Sequence, residues 1–432
     1  MMALSLRRAV VLSIFFAAFV MAGCEEVTPT PRPTWTRSVE PRIIIITDTA
    51  TDTPTPTPLV TPTAAVQTTP RAAPTQIARP APVTDPLLPK FGPFPPKPIP
   101  ARPVNINPLT GLAADPEMLQ RRPILARIGN DQKVRDSFWQ AGLNSADLVF
   151  EELIDILGSQ YANTRNTAVF LSNDPPLIGP IRSGRIVNFQ TVPMLEGALA
   201  HAGASNGTRW LFSQSPMTNL DEFFNQPAYC YENTHGYQGR LYTTAPRLRE
   251  WLEKKGWEQS VPLYGFNFSD RVPAGQPVST IGLSKAPWPS WDAAQWKYDP
   301  TSGRYLRFAT GSPQIDNSYP VTAKWGNGAS CVTAGSETRT QVRATNVVLL
   351  YAKHEKTDII EDSNNAVSVH IVLTGQGNAQ FFRDGMMVSG KWQRQSEQEF
   401  FDFVDNAGNK LALKPGNTWF ELVPIGYQPD LK

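Results

Sequence analysis

The sequence is poor in the side chains that build metal and redox sites. It has 3 cysteines and 4 histidines among 432 residues, and it contains neither a Cys-x-x-Cys nor a His-Glu-x-x-His motif. The histidines are scattered along the chain, so no set of ligands has the spacing of a structural zinc site. We therefore expect neither a metal ion nor a cofactor.

An excess of charge of either sign is also missing. Lys and Arg number 40 against 38 Asp and Glu, which gives a formal net charge of +2 at pH 7. No long basic tract interrupts this balance. Proteins that bind nucleic acid usually carry a strongly basic patch or stripe. We therefore expect no nucleic-acid partner.

The first residues have the pattern of an export signal. Arg7 and Arg8 precede an uncharged apolar run over residues 9–20, which is too short to span a bilayer as a helix. The following Met21-Ala22-Gly23-Cys24 resembles a bacterial lipobox, in which small residues precede a cysteine. That resemblance implies cleavage before Cys24, a diacylglycerol on its sulfur, and a membrane anchor on the extracytoplasmic face. An uncleaved anchor or an ordinary secretory signal is the alternative.

A Thr-rich and Pro-rich segment follows, over residues 24–101. It includes the alternation Thr53-Pro54-Thr55-Pro56 and contains few residues that could build a core. Proline fixes φ and removes backbone donors, and a low apolar content cannot offset the entropy of folding. We expect a disordered stalk that separates a lipid-anchored Cys24 from a folded part beginning near Arg102.

The first half of the folded part alternates strand and helix patterns. Strands are predicted over residues 123–129, 165–172 and 199–203, and helices over 186–195 and 244–255. Over residues 145–157 the spacing favours a helix, with a short strand at 148–150 as the alternative. Such alternation is typical of a layered α/β domain, here residues 102–256.

The second half has few segments of helical periodicity. Strand patterns recur over residues 278–283, 305–309, 346–352, 367–373, 379–383 and 418–423. Asp384-Gly385 and Asn406-Ala407-Gly408 suggest hairpins, and residues 312–343 suggest a long loop or an extra hairpin. We expect an α+β protein in which residues 257–276 join the first domain to a β-rich domain at 277–432.

Two cysteines remain once Cys24 is assigned to lipid. Cys230 and Cys331 lie far apart in the sequence and in different predicted domains. An extracytoplasmic location permits a disulfide between them. Their separation favours two buried thiols instead.

The run Gly-Pro-Ile-Arg-Ser-Gly-Arg at residues 179–185 is the strongest candidate for a ligand site. Ser183 is positioned to cap the predicted helix, and Arg182 and Arg185 would then lie near one face. Helix N-termini attract anions, and arginine binds carboxylate or phosphate through two parallel hydrogen bonds. The alternative is that both arginines pair with acidic residues of the preceding element, namely Glu151, Glu152 or Asp155.

A catalytic arrangement is a second hypothesis. His201 lies at the end of a predicted strand, where open α/β sheets bind ligands, and it could act as a general acid or base. It could equally be an enclosed, hydrogen-bonded core histidine. Ser205 is not in a Gly-x-Ser-x-Gly elbow, which weakens a serine hydrolase hypothesis. Glu151 is interpreted as a partner of Arg165 or Arg182.

The three tryptophans Trp288, Trp291 and Trp296 superficially resemble a set for stacking sugars. Because they lie near the start of the predicted β-rich domain, packing between domains is the preferred interpretation.

Several motifs together resemble one family. They are Asn-Pro-Leu-Thr-Gly-Leu at 107–112, Ala-Asp-Leu-Val-Phe-Glu at 146–151, the 179–185 run, His-Ala-Gly-Ala-Ser at 201–205 and Leu-Lys-Pro-Gly-Asn-Thr-Trp at 413–419. In this order they resemble the YerB-like bacterial lipoproteins, a two-domain family of unknown function. The sequence departs from the family pattern at residues 155–160 and 235–242. The resemblance implies a location and an architecture, and it implies no reaction.

Two classes of function follow from these patterns. The first is a non-enzymatic envelope lipoprotein that binds an anionic cell-wall component, a peptide or a partner protein. The alternative is an envelope hydrolase or transferase that acts on a wall polymer with His201, Glu151 and the Arg182 and Arg185 pair. Because no recognised catalytic motif is present, the sequence favours the binding class.

Overall fold

The computed structural model describes residues 85–88, 98–137, 139–155, 163–285, 288 and 292–432. The predicted export signal, Cys24 and most of the predicted stalk lie outside the described residues. In the parts that are described, no helix combines the length and the apolar character needed to cross a bilayer.

The α-helices of the described residues all lie before residue 256. They are α1 (Pro116–Leu119), α2 (Gln132–Ser137), α3 (Asn188–Thr191), α4 (Asn206–Gln214), α5 (Gly236–Gly239) and α6 (Ala245–Lys255). Short 3-10 helices occur at Leu143–Ser145, Pro193–Leu195, Gln226–Ala228 and Asn233–His235. The bounds of α6 agree with the prediction: the Thr244 side chain accepts a hydrogen bond from the Arg247 N–H, and Gly256 ends the helix at φ +65°.

The remaining regular structure in both halves consists of β-strands. Those before residue 256 are β1 (Ile124–Gly129), β2 (Leu148–Leu153), β3 (Thr164–Phe170), β4 (Ala198–His201), β5 (Thr218–Asp221), β6 (Cys230–Tyr231) and β7 (Leu241–Tyr242). Those from residue 276 to 344 are β8 (Gln276–Pro277), β9 (Thr280–Leu283), β10 (Ala294–Asp299), β11 (Arg304–Ala309), β12 (Ser312–Pro313), β13 (Ile315–Ser318), β14 (Val321–Thr322), β15 (Val332–Thr333), β16 (Thr338–Gln341) and β17 (Arg343–Ala344). The remainder are β18 (Asn346–Ile360), β19 (Val367–Val372), β20 (Gly375–Arg383), β21 (Met386–Arg394), β22 (Asp402–Asp405), β23 (Thr418–Pro424) and β24 (Asp430–Leu431).

One large sheet contains strands from both halves of the chain. Its order is β22-β21-β20-β18-β23-β2-β3-β1-β4-β5, with β19 paired to β18 and β8 paired to β21. β23 runs parallel to β18 on one side and to β2 on the other, so Phe420 lies opposite both Val348 and Phe150. The predicted connection at residues 257–276 therefore separates the two halves only in sequence. Strands from both halves pair in one sheet. A second sheet has the order β12-β11-β10-β9-β24, with β17 paired to β11.

Buried apolar side chains cover both faces of the large sheet. Ile124 and Val149 belong to one core, whereas Leu125, Leu148 and Phe150 belong to the other. This alternation explains why residues 148–153 form a strand. The predicted helix over 145–157 is wrong and its alternative, a strand that includes 148–150, is correct, because pairing with β3 and β23 buries both faces of the segment.

The predicted helix at 186–195 is present in a shortened form. It is split into α3 and a 3-10 helix that begins at Pro193, which lacks the N–H needed to continue the α-helical ladder. The six strands predicted in the second half are confirmed, and β18 extends well beyond its predicted end. Residues 312–343 contain two short antiparallel ladders, β13 with β16 and β14 with β15, which agrees with the hairpin alternative.

Cys230 and Cys331 form a disulfide, with an S–S distance of 2.03 Å. The expectation of two buried thiols was wrong. Backbone hydrogen bonds bring the two segments together: the Tyr231 N–H donates to the Ala329 carbonyl at 2.8 Å, and the Cys331 N–H donates to the Tyr231 carbonyl at 3.0 Å. The two cysteines are therefore neighbours in space although they are 101 residues apart in sequence.

The tryptophans that superficially resemble a sugar-stacking set are core residues where the structure describes them. Trp288 and Trp296 are buried, Trp288 packs against Tyr427, and Trp296 packs against Trp419. Trp291 lies outside the described residues.

Candidate functional site: an arginine-lined cleft

The 179–185 run lies at the carboxyl ends of two parallel strands. β1 and β4 pair directly only over Ile124–Ala126 and Ala198–Ala200. Beyond that point the run fills the gap between them: the Arg182 N–H donates to the Arg127 carbonyl at 2.8 Å, and the Ala202 N–H donates to the Arg182 carbonyl at 3.0 Å. In open α/β sheets the crevice at the carboxyl ends of diverging strands is the usual ligand site.

Four arginines meet at this crevice, and we call Arg127, Arg165, Arg182 and Arg185 the arginine cluster. The Ser183 carbonyl accepts from Arg127 Nε at 3.3 Å and from Arg165 Nη1 at 3.2 Å. Arg185 Nη1 donates to the Gly184 carbonyl at 3.1 Å. The backbone of the run therefore holds three of the four guanidinium groups.

Gly129 leaves space for the side chain of Arg182, the fourth arginine of the cluster. A Cβ atom at Gly129, the last residue of β1, would lie 2.9 Å from Cγ of Arg182. Any larger residue would have to displace the Arg182 side chain. Arg182 Nη1 lies 3.4 Å from the Gln238 carbonyl, and its buried Nε has no hydrogen-bond partner among the described residues.

Carboxylates neutralise only half of the arginine cluster. Arg127 forms an ion pair with Glu152, and Nε of Arg185 lies 3.4 Å from Oε2 of Glu361. Among the described residues, no carboxylate oxygen lies within 4.0 Å of the guanidinium groups of Arg165 and Arg182.

The unneutralised charge is reflected in the pKa values. Burial, followed by the positive charges of Arg185, Arg182 and Arg127, holds the pKa of Arg165 well below its usual range. Burial also lowers the pKa of Arg182; the negative charge of Asp131 opposes this shift, and the smaller effect of the positive charge of Arg185 adds to it. Arginine does not lose its proton in proteins, so these shifts measure unfavourable energy in a group that stays charged. Strained electrostatics of this kind are concentrated at functional sites.

Arg165, Arg182 and Arg185 of the arginine cluster line a cleft of about 910 Å³, whereas Arg127 is fully buried and is not part of the lining. Further side chains of three kinds line it: arginines, carboxylates and aromatic rings. They are Arg209 and Arg240; Asp131, Asp155, Glu222, Glu361 and Asp362; and Phe223, Tyr231 and Tyr237. The cleft is therefore large, polar and charged with both signs.

Two walls of the cleft depend on distant parts of the chain. The hairpin β6–β7 and its connecting residues carry Tyr231, Tyr237 and Arg240, and the disulfide at Cys230 fixes this hairpin to the segment at Cys331. Glu361 directly follows the long strand β18, and its Oε1 accepts a hydrogen bond from Thr208 Oγ1 at 3.1 Å.

Ser183 does not cap a helix, which corrects the predicted geometry. α3 begins only at Asn188, and Oδ1 of Asn188 accepts from the Arg185 N–H at 2.9 Å. The predicted anion site at a helix N-terminus is therefore absent. Arg182, Ser183 and Arg185 nevertheless line the cleft together, because the extended run places them there.

His201 is completely buried and does not line the cleft. Its Nε2 lies 2.5 Å from Asn219 Oδ1, its Nδ1 lies 2.9 Å from the Gly203 carbonyl, and its ring stacks on Phe212. Burial lowers its pKa, which favours the neutral imidazole. A Cβ at Gly184 would lie 3.0 Å from Nδ1, so the imidazole packs closely beneath the 182–185 backbone. His201 is an enclosed support of the site.

Glu151 lies on the opposite face of the sheet. The interpretation of Glu151 as a partner of Arg165 or Arg182 was wrong, because side chains alternate along a strand and Glu152, one residue on, is the residue opposite Arg165. Oε2 of Glu151 lies 2.7 Å from Nη2 of Arg307, and Nη1 of Arg307 lies 2.9 Å from Oε1 of Glu421. We call these three residues the core triad.

Ser205 has a structural role as well: its side chain caps α4 by accepting from the Thr208 N–H at 3.3 Å. The three residues of the catalytic hypothesis, Glu151, His201 and Ser205, are thus an ion-pair partner, a buried support and a helix cap. The structure does not bring them together. Within the described residues, no three His, Cys, Asp or Glu side chains are grouped as a potential metal site.

Sequence reasoning missed half of the arginine cluster. Arg127 and Arg165 lie within strands in which every residue is buried. Because charged side chains are rarely buried without a partner, a charge inside such an apolar strand could have indicated a functional residue. Arg209, Arg240 and Glu361 carry no comparable sign, since only the tertiary structure brings them to the cleft.

Comparisons with known proteins agree with this architecture. The N-terminal domain of the protein family of unknown function DUF3048 matches residues 109–258, and the C-terminal domain of that family matches residues 285–420. The chain belongs to this family. Together with the Bacillus subtilis relative and the solved structure described next, this match confirms the resemblance to YerB-like proteins seen in the sequence.

One relative and one solved structure give this result more detail. The chain is 24% identical over 323 residues to a protein of Bacillus subtilis (strain 168) named "Putative lipoprotein YerB", covering 73% of this chain and 86% of the relative. A crystal structure of the YerB protein from Bacillus subtilis is similar to it with a TM-score of 0.58 and 22% identity, covering 76% of this chain and 99% of that one. The structural likeness supports the shared fold.

Proposed function

We propose that this chain is a lipid-anchored lipoprotein of the extracytoplasmic face that binds an anionic ligand in the arginine-lined cleft. The observation that carries the proposal is the charge of the arginine cluster. Arg165 is buried and Arg182 is half-buried beside Arg127 and Arg185, and neither has a carboxylate within ion-pair distance among the described residues.

The arginine cluster is energetically unfavourable when no ligand is bound. Desolvating a charge and placing it beside like charges both oppose folding, so the protein carries this arrangement at a loss of stability. An anion that enters the cleft relieves the repulsion, and it also receives hydrogen bonds from planar guanidinium donors. Binding energy is then large because the groups are already ordered and partly desolvated.

The anchor part of the proposal rests on Met21-Ala22-Gly23-Cys24 and on the name of the Bacillus subtilis relative as a lipoprotein. Cys24→Ser should release the full-length protein from membranes and abolish incorporation of labelled palmitate. Membrane fractionation of the variant in a bacterial host measures this. Retention of Cys24→Ser on the membrane, with no label in the parent protein, would refute the anchor.

The anion site is tested on the full-length protein by thermal unfolding with inorganic phosphate or citrate, against chloride at equal ionic strength. We expect both anions to raise the Tm of the parent protein. Arg182→Gln should remove this increase, and Arg271→Gln, which alters an exposed arginine outside the cleft lining, should retain it. If neither anion raises the Tm of the parent protein, the proposed site is wrong.

A further inference from the structure

The same cleft indicates what else its ligand must carry besides an anionic group. We propose that the ligand is an anionic glycan, a sugar bearing phosphate or carboxylate, with its ring packed against the aromatic side chains at the mouth of the cleft. This inference rests on the proposed anion site and adds the class of ligand to it.

The size of the cleft is the first argument. A volume of about 910 Å³ is near the upper end of the roughly 300–1,000 Å³ that small-molecule pockets occupy. The arginine cluster covers only part of this lining, since Arg209, Arg240, Phe223 and Tyr237 lie along the remaining walls. A free inorganic anion would leave most of the volume to water.

The carboxylates in the lining are the second argument. Asp131, Asp155, Glu222, Glu361 and Asp362 would repel a ligand that is only an anion. Among the described residues, Oδ1 of Asp155 is buried without a hydrogen-bond partner, and Oε2 of Glu361 has its ion pair with Arg185 at 3.4 Å but no hydrogen bond. Ionised carboxylates only accept hydrogen bonds, so a ligand that also offers donors fits this wall better than a bare anion. A sugar offers hydroxyl donors beside its anionic group, and it matches a wall that alternates arginine with carboxylate.

Two exposed rings at the mouth are the third argument, and we call Phe223 and Tyr237 the rim aromatics. They are 61% and 80% exposed, and both line the cleft. The guanidinium of Arg209 lies 5.3 Å from the ring centre of Phe223, and that of Arg240 lies 5.1 Å from the ring centre of Tyr237. Each ring is thus placed beside a cation, which suits a ligand with an apolar ring face next to a negative charge.

The rim aromatics also offer a test that spares the anion site. Tyr237→Ala removes a ring that is mostly exposed, so the fold should be retained. Tyr237→Phe keeps the ring and removes only the hydroxyl. Phe224→Ala is the matched control, because Phe224 is 66% exposed and beside Phe223 but does not line the cleft.

The experiment is calorimetric titration of the full-length protein with inorganic phosphate, glycerol 3-phosphate, glucose 6-phosphate, glucuronate and AMP. We expect glucose 6-phosphate or glucuronate to bind about tenfold more tightly than inorganic phosphate, since one aromatic contact contributes about that factor. Whichever of the two sugars binds more tightly identifies the anionic group. Tyr237→Ala should remove the advantage of the sugar and leave phosphate binding unchanged, whereas Tyr237→Phe and Phe224→Ala should behave like the parent.

The outcomes separate the two proposals. If phosphate binds and Arg182→Gln abolishes its binding, but neither sugar binds more tightly, the glycan inference is wrong and the anion site remains. Tighter binding of AMP than of either sugar would replace the glycan with a nucleotide. If no anion binds the parent protein, both proposals are wrong.

Discussion

The two faces of the large sheet treat buried arginine in opposite ways. On one face Arg307 of the core triad lies between two carboxylates, Glu151 and Glu421, and also donates through Nε to Gln314 at 2.7 Å. On the other face the arginine cluster has two carboxylate partners, Glu152 and Glu361, for four guanidinium groups. The first arrangement has two carboxyl groups for one guanidinium group and is closed, whereas the second has four guanidinium groups for two carboxylate partners and opens into a cleft.

This difference separates a structural role from a candidate binding role. Further donors surround the core triad: Trp296 Nε1 lies 2.8 Å from Glu421, Trp419 Nε1 lies 3.2 Å from Glu151, and Asn130 Nδ2 lies 3.0 Å from Glu151. Among the described residues, Oε2 of Glu421 is the one polar side-chain atom of the core triad without a hydrogen-bond partner, so this network is largely satisfied within the protein and has little need of a ligand. A buried cluster that is not satisfied is stabilised when an anion supplies the missing partner.

The largest effect is expected from breaking the core triad. Arg307→Met would leave Glu151 and Glu421 buried without their cation, which typically costs about 3–5 kcal/mol. We expect the midpoint of urea unfolding to fall accordingly, and Arg271→Met, at an exposed position, to change it little. A loss for Arg307→Met no larger than for Arg271→Met would mean that the core triad has no structural role.

Removal of the disulfide should come next. Cys230→Ser together with Cys331→Ser opens a link across 101 residues, and loss of such a bond costs about 2–4 kcal/mol. Because the bond fixes the hairpin that carries Tyr237 and Arg240, the double variant should also bind anions more weakly. Unfolding and phosphate titration of the same preparation measure both effects. Unchanged anion binding would show that the hairpin keeps its place without the disulfide.

The pH dependence of stability should reveal the carboxylates on the closed face. Burial, with the charge of Glu151 as the next cause, raises the pKa of Glu421, and burial raises the pKa of Asp292 to about 7. A raised pKa in the folded state means that the protonated form is favoured by folding. The stabilisation is complete below the unfolded pKa and is lost as pH rises through the folded value.

We therefore expect Glu421 and Asp292 to lower the free energy of unfolding between about pH 4 and pH 8, by roughly 1.4 kcal/mol for each unit of pKa shift. His201 and His354, whose pKa values burial lowers, act in the opposite direction below about pH 6.5. Glu421→Gln should flatten this dependence, and Glu355→Gln, at a half-exposed carboxylate on β18, should not. Urea unfolding across the pH range measures it. The same pH dependence in Glu421→Gln as in the parent protein would contradict the assignment to Glu421.

The smallest change in stability is expected at the arginine cluster. Arg182→Gln removes one charge from a group of like charges, so the free energy of unfolding should change by no more than about 1 kcal/mol and could increase. The same variant should lose the anion-dependent rise in Tm. If Arg182→Gln lowers the free energy of unfolding as much as Arg307→Met does, and anions do not raise the Tm of the parent protein, then the arginine cluster has a structural role like that of the core triad.

Local patterns were sufficient where neighbours in sequence decide the structure. Thr244 and Gly256 mark the ends of α6 because caps act on adjacent backbone groups. Residues 148–153 show the limit, since a helical spacing of apolar residues gave way to pairing with β3 and with β23 from the far end of the chain. Partner strands remove an ambiguity that a short apolar run contains by itself.

The residues of the candidate site also fall into two groups: those that are close in sequence and those that only the fold brings together. The sequence by itself determined that Arg182, Ser183 and Arg185 lie near one another, because a short glycine-containing and proline-containing run confines them. It also determined the family, through motifs that keep their order along the chain. Only the tertiary structure decided that Arg127 and Arg165 join them, that Glu151 belongs to the opposite face, and that Cys230 meets Cys331. These depend on strand register and sheet order, where a shift of one residue exchanges the faces and no local pattern records which distant strand is the neighbour.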